Sequence, residues 1–137
     1  DWRKKFIPLV APHILTQKIR ILRPSVTFGK PQRKQNIYEL RIASLNIGQS
    51  AKWMKSFIEI REKLKSTSVN IAVWNVELSD PNEIIHLWSH DNTETMQKFW
   101  EQSENNPLFE DLNIIQEQAI RSEESIILSP SSCSPLQ

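Results

Sequence analysis

An α+β fold of ferredoxin-like β-α-β-β-α-β order is what this sequence predicts, and three observations carry it. Residues 37–45 alternate with a period of two, as a strand with two unlike faces does. Trp53, Phe57, Ile60 and Leu64 recur at helical spacing and form one apolar stripe. Two further strand-like runs, 70–78 and 83–90, flank a Ser-Asp-Pro-Asn turn and read as a hairpin.

In the first strand Tyr38, Leu40 and Ile42 share one face, with Glu39 and Arg41 on the other. Gly48 ends it, and Ser50 is placed to cap the helix that follows. In the hairpin, Ala72, Trp74, Val76 and Leu78 share a face, while Ile85 and Leu87 oppose Ile84, His86 and Trp88. Asp91 with Glu94 resembles a capping box for a helix that buries Met96, Phe99 and Trp100. Asn106-Pro107 starts a second helical piece presenting Leu108, Leu112, Ile115 and Ala119, and Ser125 to Leu128 closes the sheet as a fourth strand. Helices on one side only, with Tyr38, Trp74 and Trp88 on strand faces, imply that a partner's sheet or a sister domain covers the other side.

The N-terminal segment lies over the C-terminal one at an offset of 106 positions. Trp2 then meets Leu108, Phe6 meets Leu112, Leu9 meets Ile115, Ile21-Leu22 meets Ile127-Leu128, and Pro24-Ser25 meets Pro130-Ser131. Residues 1–25 are therefore expected to be the closing helix and strand of a preceding, similar domain, and the start at Asp1 without a Met agrees. Pro8 and Pro12 have no counterparts in the second copy and interrupt that helix. Residues 26–36 read as a basic linker, 37–129 as the complete domain, and 130–137 as a flexible tail rich in serine and proline.

The 137 residues are one domain's length, with 39% hydrophobic and 24% charged residues. No apolar run approaches the roughly 20 residues that span a bilayer. The single cysteine, Cys133, cannot form an internal bridge, which fits a reducing compartment. The net charge of +1 hides a basic arm: residues 1–36 hold nine Lys/Arg and one acid, and the remainder eight Lys/Arg and fifteen acids. The arm lacks interleaved aromatics for stacking on bases, so it is expected to lie on an acidic face of its own protein, with no nucleic acid as partner.

No catalytic constellation stands out. Two glycines exclude a Gly-rich phosphate loop, and no serine sits in a Gly-flanked elbow. His86 and His90, four apart on a strand, stand roughly 13 Å apart, too far to share a metal. His13 has no ligand-type neighbour, so no metal site and no cofactor are expected. If a ligand cavity exists, Tyr38, Trp74, His86 and Trp88 are its candidate lining; the plainer role for His86 is a hydrogen bond on the sheet.

Ile37-Tyr38-Glu39-Leu40-Arg41 with Gly48, then Trp74 and Glu77, Asn82 with His86-Leu87-Trp88, and Ser122-Glu123 with Ile126-Ile127-Leu128 before Pro130, together resemble the NIPSNAP domain of the dimeric α/β-barrel superfamily. The resemblance covers about residues 37–130, and the flanking segments are similar to the third animal subgroup, whose members hold two such domains in tandem. Asp80-Pro81-Asn82 replaces the family's usual Gly-Leu-Asn hairpin, and residues 95–99 lack an arginine often found there. The resemblance implies a mitochondria-associated protein without enzymatic activity, linked to vesicle traffic and mitochondrial quality control through protein partners. Pairing through the sheet face, as a homodimer or an intramolecular domain pair, is expected with it. Related α/β barrels imply an alternative, a haem- or quinol-like ligand or cofactor-free oxygenase chemistry in the barrel cavity.

Overall fold

A computed structural model of the chain describes residues 2–31, 36–64 and 68–134. Strand β2 (Ile37–Leu45) lies between β4 (Glu83–His90) and β5 (Ile120–Leu128), antiparallel to both. Leu40 thus faces Leu87 on one side and Ile126 on the other. Strand β3 (Val69–Leu78) forms the hairpin with β4. At its turn Asp80 Oδ1 accepts from Asn82 N at 2.9 Å, and Ser79 takes a positive φ of 103°. These four strands have the ferredoxin-like arrangement expected from their order.

The sheet has a fifth member. Strand β1 (Ile21–Pro24) pairs antiparallel with β3, giving the order β1-β3-β4-β2-β5. The two strands related by the 106-residue repeat therefore occupy opposite edges of one sheet. Beyond β1 the chain stays on β3: Ser25 N donates to Val73 O at 2.9 Å and Gly29 N to Ile71 O at 2.7 Å. A Cβ on Gly29 would meet Asn70 O at 2.5 Å, so only glycine allows this approach. Residues 26–31 of the expected linker are thus docked along the sheet, and 32–35 lie outside the described residues. The basic arm does meet acids of the body: Arg20 Nε reaches Glu83 Oε2 at 2.6 Å, and Arg23 Nε reaches Glu77 Oε1 at 3.2 Å.

Helix α1 (Trp2–Lys5) and helix α2 (Ile7–Val10) are single turns with no buried residue, followed by a 3-10 turn at Ala11–His13. Pro8 and Pro12 break the helix where their missing N–H groups require it. Helix α3 (Ser50–Lys63) buries Trp53, Met54, Phe57 and Ile60. Its N-cap is Gln49 rather than Ser50, and no side chain caps it. Helix α4 (Thr93–Glu104) is capped by Asn92, whose Oδ1 accepts from Thr95 N, rather than by Asp91. After a 3-10 turn at Pro107–Phe109, capped by Asn106 as expected, α5 (Glu110–Ala119) buries Leu112, Ile115 and Ala119. Leu108 stays exposed and Phe109 enters the core in its place. β5 begins at Ile120, five residues before the expected Ser125.

All three helices of the domain cover one face, where Ala43, Leu45, Val73, Ile84 and Trp88 join the helix side chains in one core. The opposite face carries Tyr38, Ile42, Ala72, Val76 and Ile85 in two small clusters, edged by half-buried Leu40, Trp74, Leu87 and Ile126. Ile84 has no exposure, whereas Ile127 is 46% exposed. Ile84→Ala is therefore expected to lower the unfolding free energy by about 2–5 kcal/mol, through lost burial and a residual cavity. Ile127→Ala should change it by less than about 1 kcal/mol, and urea unfolding of the two variants checks the difference.

Candidate functional site

The helix-covered face is not purely apolar. Odd positions of β2 point under the helices, and toward one end these are Glu39 and Arg41 rather than Ala43 and Leu45. Glu39 is 3% exposed. A buried carboxylate needs hydrogen bonds to survive, and Glu39 has donors from three elements. Trp100 Nε1 from α4 donates to Oε2 at 2.7 Å, His90 Nε2 from β4 lies 3.2 Å from the same oxygen, and Ser125 Oγ from β5 donates to Oε1 at 2.7 Å. A carboxylate only accepts, so His90 Nε2 carries the proton of that bond. The other ring nitrogen of His90 lies 2.8 Å from Ser68 Oγ. Burial alone would push the Glu39 carboxyl up. The bonds from His90, Ser125 and Trp100, with the nearby Arg41 charge, outweigh it and hold the pKa at about 2.

Arg41 carries the network onward. Its guanidinium makes a two-pronged pair with Glu123 of β5, with Nε 3.1 Å from Oε1, and lies 4.0 Å from the centre of the Trp100 ring. Burial works to raise the Glu123 pKa, and His86 and Arg41 together bring it below the usual value. His86, beside this pair, accepts Trp88 Nε1–H on Nδ1 at 2.7 Å. Burial pushes the His86 pKa down, against the pull of Glu123. Because Nδ1 accepts that bond, the ring carries its proton on Nε2, for which no hydrogen-bond partner is found among the described residues. Glu123 Oε1 is 3.9 Å away, beyond hydrogen-bond range.

Between these groups and helices α4 and α5 lies a cavity of about 150 Å³. Arg41, His86, Trp88, Phe57 and Trp100 form its floor and walls, and Asn113 and Gln116 of α5 contribute amides. Of the four candidate lining residues, the structure brings together His86 and Trp88. Tyr38 and Trp74 lie on the opposite face of the sheet, because their parity on β2 and β3 points them away from the helices. Ser68, His90 and Glu39 have the connectivity of a hydrolytic relay, but Ser68 and His90 are buried and neither lines this cavity. Among the described residues no group of three or more His, Cys, Asp or Glu side chains is placed to hold a metal ion, and no helix is long and apolar enough to cross a membrane.

A family model described as NIPSNAP matches residues 38–135. The chain belongs to the NIPSNAP family. Of the residues that carry the resemblance in sequence, Glu39, Arg41, His86, Trp88 and Glu123 belong to the buried network, while Tyr38, Leu40, Trp74, Leu87 and Ile126 lie on the opposite face. Solved structures agree with the NIPSNAP fold. A NIPSNAP family protein of unknown function from Agrobacterium tumefaciens is 20% identical with a TM-score of 0.65, covering 80% of this chain and 100% of its own. An uncharacterized NIPSNAP domain protein from Burkholderia xenovorans is 16% identical with a TM-score of 0.61, covering 72% of this chain and 98% of its own. A Lactobacillus acidophilus protein assigned by name alone to the monooxygenases is 14% identical with a TM-score of 0.66; the match covers 92% of this chain and 59% of that one. At these identities the likeness is one of fold. No curated protein matches the chain.

The Glu39 carboxyl has a direct consequence for acid stability. Its folded pKa of about 2 lies below the ordinary value of 4.5. Its contribution is therefore complete above pH ~4.5 and lost as pH falls toward ~2, on the order of 2–3 kcal/mol. Unfolding measured across that window is expected to steepen in the native protein and flatten in Glu39→Gln. Parallel curves would contradict the assignment.

Proposed function

We propose that this chain is a non-enzymatic interaction module that pairs through the bare face of its sheet with another domain of its own kind. The carrying observation is that face itself. Leu40, Trp74, Leu87 and Ile126 are half-exposed across four adjacent strands, and no described helix lies on them. The four long strands, about 4.8 Å apart and roughly 30 Å long, outline a face on the order of 600 Å², below the ~800 Å² that each partner of a stable complex buries, and its exposed part is the ridge these four side chains form. A flat, largely apolar surface of that size suits another sheet better than a small or charged partner.

The β1 strand supports the identity of the partner. The repeat makes β1 the counterpart of the end of β5, and it sits on the outer edge of β3. A β3 edge thus accepts a β5-type strand, which is what two such domains need to close around their facing sheets. On this reading residues 1–25 are the closing strand of a similar domain, and the complete domain stands without them. Membership of the NIPSNAP family supports, by itself, a place in a mitochondria-associated scaffold of vesicle traffic or mitochondrial quality control.

Sedimentation of the chain at micromolar concentration is expected to give a dimer. Trp74→Glu with Leu87→Glu should give a monomer with unchanged circular dichroism, since both side chains are half-exposed rather than core. A native monomer, or a dimer indifferent to the two charges, would overturn the pairing. Deleting residues 1–36 is expected to leave 37–128 cooperatively folded, with loss of the Arg20–Glu83 pair and slightly lower stability. Loss of cooperative unfolding would make the arm part of this domain.

A second reading, a small-molecule protein or cofactor-free oxygenase, is favoured by one observation: the cavity of about 150 Å³ whose lining includes His86 and Trp88. The name of the Lactobacillus protein of like fold agrees with it. A haem macrocycle does not suit this space, since sites for drug-sized ligands begin at about 300 Å³.

A further inference from the structure

We propose that Glu83 selects which closing strand the β3 edge accepts: it admits a strand that brings bases over it and refuses one that brings an acid, this chain's own β5 included. The proposal rests on the reading of residues 1–25 as the closing strand of a similar domain. It is independent of pairing through the bare sheet faces.

Glu83 opens β4, opposite Ser44 and two residues from Ile85, so its parity puts the carboxylate on the bare face of the sheet. A lone carboxylate there would be solvated, yet this side chain is 7% exposed. The arm reaches it across the end of β3, where Ile21 pairs with Leu78. Arg20 donates to both carboxylate oxygens, from Nε at 2.6 Å and from Nη2 at 3.1 Å. Lys18 Nζ adds a second positive charge 3.6 Å from Oε1. The Arg20 bonds hold the Glu83 carboxyl below its usual pKa, against its burial.

The repeat shows what this chain's own β5 would bring to the same place. The offset of 106 carries Lys18 onto Glu124 and Arg20 onto Ile126. Both are at bare-face positions of β5, Glu124 opposite Ile42 and Ile126 opposite Leu40. Laid on the β3 edge as the arm is, a β5 of this sequence would set Glu124 against Glu83. It would also offer an alkyl chain where Arg20 now donates. Covering a carboxylate without a donor and beside a like charge is costly.

Backbone hydrogen bonds along an edge do not distinguish one strand from another, so side chains must. Between these two strands the charges at positions 18 and 20 differ, and Glu83 is the group they meet. Reciprocally, a similar domain that takes up this chain's β5 carries a neutral or basic residue where this chain has Glu83.

Amide hydrogen exchange in the full chain tests the selection. Its reporter is the Ser25 amide, which donates to Val73 O only while the arm is docked. Lys18→Glu with Arg20→Ile writes the β5 residues into the arm. That pair of changes is expected to speed Ser25 exchange on the order of tenfold to a hundredfold, the worth of hydrogen bonds to a charged group. Adding Glu83→Lys should restore the original rate, and Glu83→Lys alone should release the arm. If Glu83→Lys fails to fold, Glu83→Gln keeps the test: with it the two arms should exchange at similar rates.

Peptides give the same answer in trans. Residues 16–25 should bind the chain carrying Lys18→Glu and Arg20→Ile, and residues 122–131 should not. Unchanged Ser25 exchange in that variant, two arms still unequal in Glu83→Gln, or equal binding of the two peptides would each overturn the selection. The closing-strand reading would survive all three, because it is decided by whether 37–128 folds without residues 1–36.

Discussion

The buried carboxylate of Glu39 is the constraint around which this domain is arranged. A negative charge under the helices is tolerable only when several donors meet it, and here they come from β4, β5 and α4 at once. Any register slip of one residue in β2 would turn Glu39 to the bare face and bring Tyr38 or Leu40 under the helices. The same carboxylate therefore fixes the register of the central strand and the placement of α4 through Trp100. Arg41 extends the arrangement, since its pairing with Glu123 ties β5 to the network while its guanidinium lies against the same Trp100 ring.

Two unlike surfaces follow from that fixed register. Even positions of β2 project the apolar side chains that a second sheet can cover, while odd positions carry the charges and the cavity. The two faces share a backbone only about one strand thick, yet their chemistries are separate. One is a ridge of half-exposed Leu40, Trp74, Leu87 and Ile126, and the other an aromatic enclosure floored by Arg41 and His86.

Much of the fold was legible in the sequence because it rests on periodicity. The Trp53–Phe57–Ile60 stripe, the 79–82 turn and the alternation of β2 each report local geometry, and each is where the spacing puts it. The site was legible only in part. His86 and Trp88 were recognisable as neighbours on one strand face, but Tyr38 and Trp74 were grouped with them although their parity sends them to the other side. Alternation gives two faces without saying which one the helices cover. Glu39 and Arg41 are charged, and the signal that their face is the covered one is Ala43 and Leu45 at the same parity. At Glu123 nothing local announces an arginine two strands of sequence away. The fifth strand came from outside the β-α-β-β-α-β pattern, and only the 106-residue repeat hinted that the arm held a strand.

The ionisation of Glu39 tests the account most directly. Carbon-13 detection of its side-chain carboxyl during an acid titration of the folded protein reads that one group without reference to unfolding. The network predicts a midpoint near pH 2, far below a free glutamate. A midpoint at 4.5 or above would mean that the donors of three elements do not converge on it, and that β2 does not lie in this register.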